Sequence, residues 1–275
     1  MKRRADGRRS TDGPVLHALE ALEDLRGCRV GLSVVGLEGP LAGVGFGVAE
    51  DETFPSASLI KVLVLVELLR RADSGLVSLG EEVVIRPEDL VDDSEMLGAR
   101  RRPARVSLGE LAEGMITVSD NTATNELIRR LGMDRINALA GELGVRRTSL
   151  RREMMDFGAR LRGEENTTAA SDMVALMRGI WAGPILTRES RRLALGLLMG
   201  QRLVSKIAFP APPGARYAHK TGELDGVEND AGILLVPGRS FAVAALVEGD
   251  VGCAAGPVSE ALRSICGFYA GAGRG

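Results

Sequence analysis

The strongest constraint on the fold comes from the segment FPSASLIKVLVLVELL, which spans Phe54–Leu69. Nearly every position from Leu59 onward is apolar, which predicts a helix that is buried on all sides. Other elements must surround such a helix, and a chain of 275 residues with 45% hydrophobic content can supply them. Lys61 interrupts the apolar run, and a buried ammonium group is costly unless it is paired or can lose its proton.

Strand patterns near both ends of the chain flank a mostly helical middle. Strands are predicted over residues 28–37 and 41–50, as a hairpin around a Gly-Pro turn, and over 215–223, 231–236 and 241–248. Helices are predicted over residues 14–26, 58–72, 107–115, 120–131, 134–143, 169–182, 187–200 and 256–271, with irregular structure over 75–106 and 150–166. We therefore expect an α/β (α+β) fold. Both chain ends build one antiparallel five-stranded sheet, covered by the terminal helices, beside an inserted all-α region.

The same pattern predicts how the chain is divided. Residues 1–13 are expected to form a disordered basic tail. Residues 14–50 and 207–275 are expected to form an α/β subdomain, and residues 51–206 an α-helical subdomain. A functional site is expected between the two subdomains.

Composition and charge argue against several classes of function. The net charge of −2 and the pI of about 5.9 do not favour nucleic-acid binding, which calls for a basic domain with clustered charge. No apolar run is long enough to span a bilayer, and no export-type apolar segment follows the basic start. As written, the chain is expected in the cytoplasm; a truncated start would be compatible with a secreted or periplasmic protein. No heptad pattern suggests a partner, so we expect a monomer.

Metal and cofactor chemistry is not indicated. Cys28, Cys253 and Cys266 lack metal-ligand spacing, and the only histidines are His17 and His219. We therefore expect no metal and no cofactor. The cysteines are interpreted as small buried residues, with one disulfide and one remaining thiol as the alternative. His219 is interpreted as a structural strand histidine.

The choice of cation is informative. Only four of the 35 basic residues are lysines, namely Lys2, Lys61, Lys206 and Lys220. In a chain that otherwise uses arginine, a lysine inside an apolar helix suggests a need that arginine cannot meet. A buried lysine can lose its proton near neutral pH, whereas arginine effectively cannot.

Three short motifs carry the candidate chemistry. Ser58 and Lys61 lie three residues apart on one helix face, near the N-terminus of the helix, where an amine can activate a serine nucleophile. Ser119-Asp120-Asn121 begins a helical pattern, and Lys220-Thr221-Gly222 ends a strand pattern. Each motif alone could be a helix cap, a snorkelling lysine or a strand-to-turn junction. Their joint occurrence in the order S-x-x-K, S-D-N, K-T-G indicates one catalytic site.

These motifs resemble those of the serine β-lactamase and penicillin-binding protein family, and most closely those of the class A β-lactamases. The resemblance covers most of the chain and implies the same fold. It implies that Ser58 attacks a carbonyl and forms an acyl-enzyme, and that Lys61 takes or relays its proton. Ser119 is implied to bridge the two lysines of the motifs and to pass the proton to the leaving nitrogen.

The resemblance also assigns the substrate-binding side of the site. Asn121 is expected to hold the amide side chain of the substrate. Within Lys220-Thr221-Gly222, the first two residues are expected to bind its carboxylate, and the glycine to let it lie close against the strand edge. The backbone N–H groups of Ser58 and Glu223 are expected to form the oxyanion hole. The implied partner is a small-molecule β-lactam, or a peptide or ester substrate.

The chain departs from the class A pattern in the loop after the second motif. Class A enzymes carry a glutamate there that activates the deacylating water. Alignment of the stretch 148–170 places Met154 at that position. Glu153, one position away, is the remaining candidate catalytic base, since loops tolerate small shifts. Glu164 and Glu165 are expected to cap the next helix.

A second departure follows the third motif, and three functions stay open. The stretch Glu223–Asp230 is acidic where the class A pattern has small residues and, farther on, an arginine for the substrate carboxylate. The first function is a class A β-lactamase that opens β-lactam rings, with slow deacylation if the loop glutamate is missing. The second is a D-alanyl-D-alanine peptidase or esterase on the same scaffold. The third is a penicillin-binding or sensor domain that acylates without turnover.

Overall fold

The fold is built around a five-stranded antiparallel sheet. The computed structural model describes residues 13–98, 103–207 and 209–271. Its strands are β1 Cys28–Gly36, β2 Gly45–Val48, β3 Phe54–Pro55, β4 Glu82–Ile85, β5 Ala104–Ser107, β6 Thr167–Thr168, β7 Arg216–Leu224, β8 Val227–Leu235 and β9 Phe241–Gly249. Its helices are α1 Gly13–Glu23, α2 Ile60–Asp73, α3 Glu95–Gly98, α4 Leu108–Thr117, α5 Asn121–Leu131, α6 Met133–Glu142, α7 Phe157–Leu161, α8 Ala170–Ala182, α9 Arg188–Met199 and α10 Val251–Gly271.

Both ends of the chain contribute to the main sheet, whose strand order is β2-β1-β9-β8-β7. β1 pairs with β9 from Cys28, opposite Gly249, to Gly36, opposite Phe241. β7, β8 and β9 follow one another as antiparallel neighbours, so β7 forms an edge of this sheet. The predicted fold class is confirmed. The arrangement brings the Lys220 motif on β7 to the side of the sheet that meets the middle of the chain.

The two faces of the sheet bury different side chains, because successive strand residues point to opposite faces. One face packs against α1 and α10 through residues such as Leu19, Val30 and Leu262. The other face packs against α8 and joins the core of the helical region, with Ile233 and Leu246 among its buried residues.

α2 lies at the centre of the helical region. Every residue from Ile60 to Leu69 is buried, as the apolar run predicts. The buried carboxylate of Glu67 is paired within the helix, with Arg70 at 3.1 Å and Arg71 at 2.9 Å. The ammonium of Lys61 has no such neighbour on its own helix and finds its contacts outside it.

Two strand starts differ from the predicted ones. β2 begins at Gly45 rather than at residue 41, because Gly39–Leu41 forms a 3₁₀ turn. β8 begins at Val227 rather than at residue 231. Gly226 has a φ of 68°, which glycine adopts without strain, so a tight turn returns the chain directly after β7.

The structure also contains elements that the sequence pattern does not predict. β4 pairs with β5 within the stretch 75–106, and α7 lies within the loop 150–166. Both are too short for a hydrophobic period to identify them. α10 starts at Val251, before Pro257, whereas the pattern places the start at residue 256. Residues 1–12 of the predicted basic tail lie outside the described residues. None of the described helices is long and apolar enough to cross a membrane.

Candidate active site

Ser58 lies in a short turn just before α2. The turn is the 3₁₀ segment Ala57–Leu59, and Ala57 has a φ of 45°, a strained conformation for a residue with a side chain. Asn229 of β8 holds the turn by donating from Nδ2 to Pro55 O at 2.9 Å and to Ser56 O at 3.3 Å. Ser58 therefore lies at the N-terminal end of a buried helix, where the helix dipole favours a developing negative charge.

Lys61 is fully buried, and its Nζ donates to three oxygens. These are Ser119 O at 2.7 Å, Ser119 Oγ at 2.9 Å and Asn121 Oδ1 at 2.8 Å. Burial lowers the pKa of the Lys61 amine well below its ordinary value, and the nearby Lys220 lowers it further. The contacts explain how a lysine can occupy this apolar helix, and the lowered pKa makes its neutral form accessible.

Ser119 stands at the centre of the site. Its Oγ is 2.9 Å from Ser58 Oγ, 2.9 Å from Lys61 Nζ and 3.1 Å from Lys220 Nζ. The hydroxyl therefore touches the candidate nucleophile and both motif lysines. A hydroxyl both donates and accepts hydrogen bonds, so this one can carry a proton between its neighbours.

The N-terminus of α5 fixes the position of Ser119. Asp120 caps this helix, since its Oδ1 accepts from Ala123 N at 2.8 Å. Its Oδ2 accepts from Met96 N at 3.0 Å and Leu97 N at 2.9 Å, which joins the cap to α3. Ser119 itself has a φ of 58°, a strained backbone that this buried cap helps to hold.

Lys220 is the second buried lysine of the site. Its Nζ donates to Thr221 O at 2.9 Å as well as to Ser119 Oγ. Burial lowers the pKa of the Lys220 amine to about 7, although the carboxylate of Asp230 opposes the shift. Lys220 therefore titrates near neutral pH.

Gly222 lets β7 approach the turn that carries the candidate nucleophile. A Cβ at this position would lie 3.1 Å from Ser56 O, 3.1 Å from Ser58 N and 3.2 Å from Ala57 Cβ. A larger residue would push the strand and the turn apart. The glycine thus brings the backbone of β7 next to the backbone N–H of Ser58.

A cavity of about 910 Å³ opens over these residues. The first two motifs contribute Ser58, Ser119 and Asn121 to its lining, and the third contributes Thr221. Glu223, which follows the third motif, also lines the cavity. Lys61 and Lys220 are buried behind the cavity wall, where both contact Ser119 Oγ. The structure therefore brings together every predicted site residue of the three motifs.

Glu153 is not brought into this cavity. Its carboxylate makes a two-point contact with Arg129 of α5, at 2.9 and 2.6 Å, on the outer side of the loop. Met154 faces the cavity instead and is largely buried. The residues of the fully described loop 150–166 that line the cavity are Arg152, Met154, Met155, Phe157, Arg160 and Asn166, and none of them carries a carboxylate.

Glu164 and Glu165 do not act as simple helix caps. Glu165 Oε1 accepts from Arg152 Nε at 3.0 Å and from Nη2 at 2.8 Å, and its Oε2 is paired with Arg160 at 2.9 Å. Glu164 is paired with Arg162 on the surface. Both carboxylates tie the loop to itself, because its arginines lie close to them.

The acidic stretch after the third motif is engaged within the protein. Glu223 accepts a hydrogen bond from Lys206 Nζ. Glu228 is buried, and its Oε1 accepts from Lys206 N at 2.8 Å. Asp230 contacts His219 Nδ1 at 2.9 Å, and the ring of His219 stacks on Tyr217. These contacts engage three of the four acidic side chains of the stretch, Glu223, Glu228 and Asp230, within the protein.

Three asparagines that hold the site are not identified by the motifs. Asn125 binds the backbone of Met154 in both directions, with Nδ2 donating to O at 3.1 Å and Oδ1 accepting from N at 2.7 Å. Asn166 Oδ1 accepts from two backbone amides of the same loop, and Asn229 holds the Ser58 turn. The one available signal is the spacing of Asn121 and Asn125, which places two amides on the same buried face of α5.

The comparisons with known proteins agree with this geometry. A model of the β-lactamase enzyme family matches residues 15–266. The β-lactamase AER-1 of Aeromonas hydrophila is 28% identical over 211 residues, which cover 76% of this chain and 68% of that protein. The solved structure of PBP-A is similar with a TM-score of 0.84 and 28% identity, over 97% of this chain and 99% of that one. A point mutant of PBP-A is described as an acyl-enzyme complex with penicillin-G.

A second solved structure extends the likeness. The β-lactamase from Sphaerobacter thermophilus DSM 20745 is similar with a TM-score of 0.83 and 28% identity, over 94% of this chain and 98% of that one. The resemblance carried by the three motifs is therefore confirmed over nearly the whole chain. This chain belongs to the β-lactamase enzyme family, as a serine β-lactamase-like hydrolase of the class A type.

Proposed function

We propose that this enzyme opens β-lactam rings through an acyl-enzyme on Ser58 and releases the product slowly. The observation that carries the proposal is the position of the Ser119 hydroxyl, 2.9 Å from Ser58 Oγ and in contact with Nζ of both Lys61 and Lys220. One hydroxyl thus links the nucleophile to two amines whose pKa values burial lowers. This arrangement suits proton transfer during acylation.

Acylation begins with Ser58 Oγ attacking the lactam carbonyl. As the bond forms, the Ser58 proton passes to Ser119 Oγ, and the proton of Ser119 passes to the neutral amine of Lys61. Collapse of the tetrahedral intermediate breaks the carbon–nitrogen bond of the ring, and the proton returns through Ser119 to the leaving nitrogen. The route needs Lys61 neutral, which its lowered pKa favours.

The substrate is held on the two sides of the cavity. The backbone N–H groups of Ser58 and Glu223 receive the developing oxyanion, a role supported by the close approach that Gly222 permits. Asn121 receives the amide side chain. Thr221 receives the carboxylate, and the protonated form of Lys220, buried directly behind the cavity wall, attracts it electrostatically, so that this attraction depends on pH around the Lys220 pKa of about 7.

Deacylation is the slow step in this proposal. Hydrolysis of the acyl-enzyme needs a base that activates water beside Ser58. Met154 lines the cavity at the position where the class A pattern has the glutamate, and Glu153 forms an ion pair with Arg129 on the outer side. We therefore assign no base role to Glu153.

A penicillin-binding protein that acylates without useful turnover is the second candidate. The loop 150–166 favours it, because none of its cavity-lining side chains carries a carboxylate. The same acyl-enzyme chemistry would serve a D-alanyl-D-alanine peptide or an ester. The lifetime of the acyl-enzyme separates these candidates.

Time-resolved intact-protein mass spectrometry with benzylpenicillin tests the proposal. Loss of the free drug is followed in the same samples. We expect an adduct of one drug molecule that forms and then decays over many minutes, together with slow loss of the drug. The Ser58→Ala variant should show neither, and Ser74→Ala, an exposed serine at the other end of α2, should behave as the unmodified enzyme.

The other outcomes each decide between the candidates. An adduct that never decays indicates the penicillin-binding function. Rapid drug loss without an adduct indicates an efficient β-lactamase and contradicts slow deacylation. If no adduct forms and no drug is lost, β-lactams are excluded as substrates. If an adduct forms on the Ser58→Ala variant, Ser58 is excluded as the nucleophile.

A further inference from the structure

Cys28 and Cys253 lie together where the start of β1 meets the start of α10. Cys28 is the first residue of β1, and Cys253 lies in the first turn of α10. Their Sγ atoms are 3.0 Å apart, although 225 positions separate the two residues in the sequence. Both are free thiols, and both are half-buried.

The backbone around the pair holds the two thiols side by side. Cys28 lies opposite Gly249 in the β1–β9 ladder, and Asp250 N donates to Gly27 O at 2.9 Å. Cys253 N in turn donates to Asp250 Oδ1 at 3.2 Å. A Cβ at Gly249, whose φ is 109°, would lie 2.4 Å from Gly27 O and 2.9 Å from Cys28 Cα. Only glycine permits this approach of the two segments.

We propose that Cys28 and Cys253 form a redox modification site, which a small-molecule disulfide such as oxidised glutathione converts into an intramolecular disulfide. The thiolate of one cysteine attacks glutathione disulfide, which forms a mixed disulfide and releases one glutathione. The second cysteine then attacks the protein sulfur of the mixed disulfide and releases the other glutathione. The protein loses two hydrogen atoms, and the oxidant becomes two molecules of glutathione.

The bond would fasten the start of β1 to the start of α10. It closes a loop that contains most of the chain, and such a crosslink restricts the unfolded chain. Burial, followed by the neighbouring Cys253 thiol, raises the pKa of the Cys28 thiol to about 11, so the exchange is slow at neutral pH. Burial raises the pKa of Cys266 to about 12, and this residue lies on the buried side of α10, in the core.

The test uses the full chain, incubated in buffers that contain oxidised or reduced glutathione. We expect the oxidised sample to lose two hydrogen atoms in intact mass and to yield one linked peptide pair containing Cys28 and Cys253. Its melting temperature should rise by about 5–10 °C over that of the reduced sample. Cys266→Ala should keep the crosslink, and Cys28→Ser should lose it.

Several results would overturn the proposal. They are alkylation of Cys28 and Cys253 after oxidation, a stable glutathione adduct without closure, or a crosslink that uses Cys266. No β-lactam is present in the test. Its failure would therefore leave the proposed hydrolase chemistry untouched, and failure of that chemistry would leave this site untouched.

Discussion

At the residue scale, the site depends on two buried lysines, and at Lys61 an arginine could not supply a neutral amine. Lys61 and Lys220 are fully buried, and burial is the first cause of the lowered pKa of each amine. Arginine keeps its proton under such conditions and needs more room for its planar group. The rarity of lysine in the sequence therefore points to amines that can exchange a proton. The structure adds that both amines contact the same group, the Ser119 hydroxyl, which the spacing of the lysines in the sequence does not show.

Replacement of Lys61 tests whether it acts as a base. We expect Lys61→Arg to reduce the rate of acylation by benzylpenicillin by about 10²- to 10⁴-fold, because the guanidinium cannot accept the proton. The rate is measured by intact-protein mass spectrometry. Arg263→Lys, an exchange on the exposed side of α10, is the control and should leave the rate unchanged. An acylation rate in Lys61→Arg within about threefold of the unmodified enzyme would contradict the base role.

The pKa of Lys220 predicts a pH dependence. Below its pKa of about 7 the Lys220 ammonium is charged, and in the proposed mechanism this charge attracts the substrate carboxylate; as pH rises through this value the charge is lost. The second-order acylation rate with benzylpenicillin should therefore fall by about tenfold per pH unit on the alkaline side. Lys220→Arg should retain its charge and lose this alkaline decline.

The profile is measured from about pH 5 to pH 10, with fluorescence checking that the protein stays folded. The descending limb reports the free enzyme, because it is read from the second-order rate. An alkaline limb that persists unchanged in Lys220→Arg would assign the titration to another group.

At the element scale, the proposal of slow deacylation rests on the loop 150–166. Asn125 of α5 holds the backbone of Met154 through two hydrogen bonds, so this residue has a fixed place in the cavity wall. Sequence alignment could predict that no glutamate occupies that place. It could not predict the pairing of Glu153 with Arg129, because the partner lies 24 residues away and the contact depends on the path of the loop.

The loop can be given the missing base. We expect Met154→Glu to speed decay of the benzylpenicillin adduct by about 10²-fold, because a carboxylate would then face the cavity. The acylation rate should change little. The measurement is adduct decay after removal of free drug, followed by intact mass. Unchanged decay would contradict the placement of Met154 beside the acyl-enzyme.

Glu153→Gln is the matched control in the same loop. It should leave adduct decay unchanged and alter the free energy of unfolding by less than about 1 kcal/mol, because the lost ion pair with Arg129 is partly exposed. Slower decay in this variant would restore Glu153 as a candidate base.

At the scale of the whole molecule, the sheet joins both chain ends and brings the three motifs together. The strand patterns near each end were sufficient to predict one antiparallel sheet, since five short strands need a common layer. The starts of β2 and β8 were not predictable, because they depend on the 3₁₀ turn after β1 and on the tight turn at Gly226. The start of α10 was misplaced because a proline usually lies in the first turn of a helix, whereas Pro257 lies inside this one. The strained backbones of Ala57 and Ser119 were equally hidden, since only the tertiary contacts hold them.

A substitution in the core between α10 and the sheet tests how far the sheet stabilises the whole molecule. Leu262 is fully buried there, and Leu262→Ala should lower the free energy of unfolding by about 2–5 kcal/mol. Molecules that remain folded should be acylated by benzylpenicillin at the normal rate, because Leu262 packs against the face of the sheet that is turned away from the site. Denaturant unfolding and the acylation rate are measured side by side. A slower acylation of Leu262→Ala molecules that are fully folded would contradict this expectation and would show that packing on this face affects the site.

The most direct test of the account is to locate the acyl group. The enzyme is quenched after brief reaction with benzylpenicillin, digested and analysed by tandem mass spectrometry. We expect the adduct on Ser58, in the peptide that also contains Lys61, with none on Ser119. An adduct on any other side chain, or acylation that survives in Ser58→Ala, would contradict the central claim that Ser58 is the nucleophile.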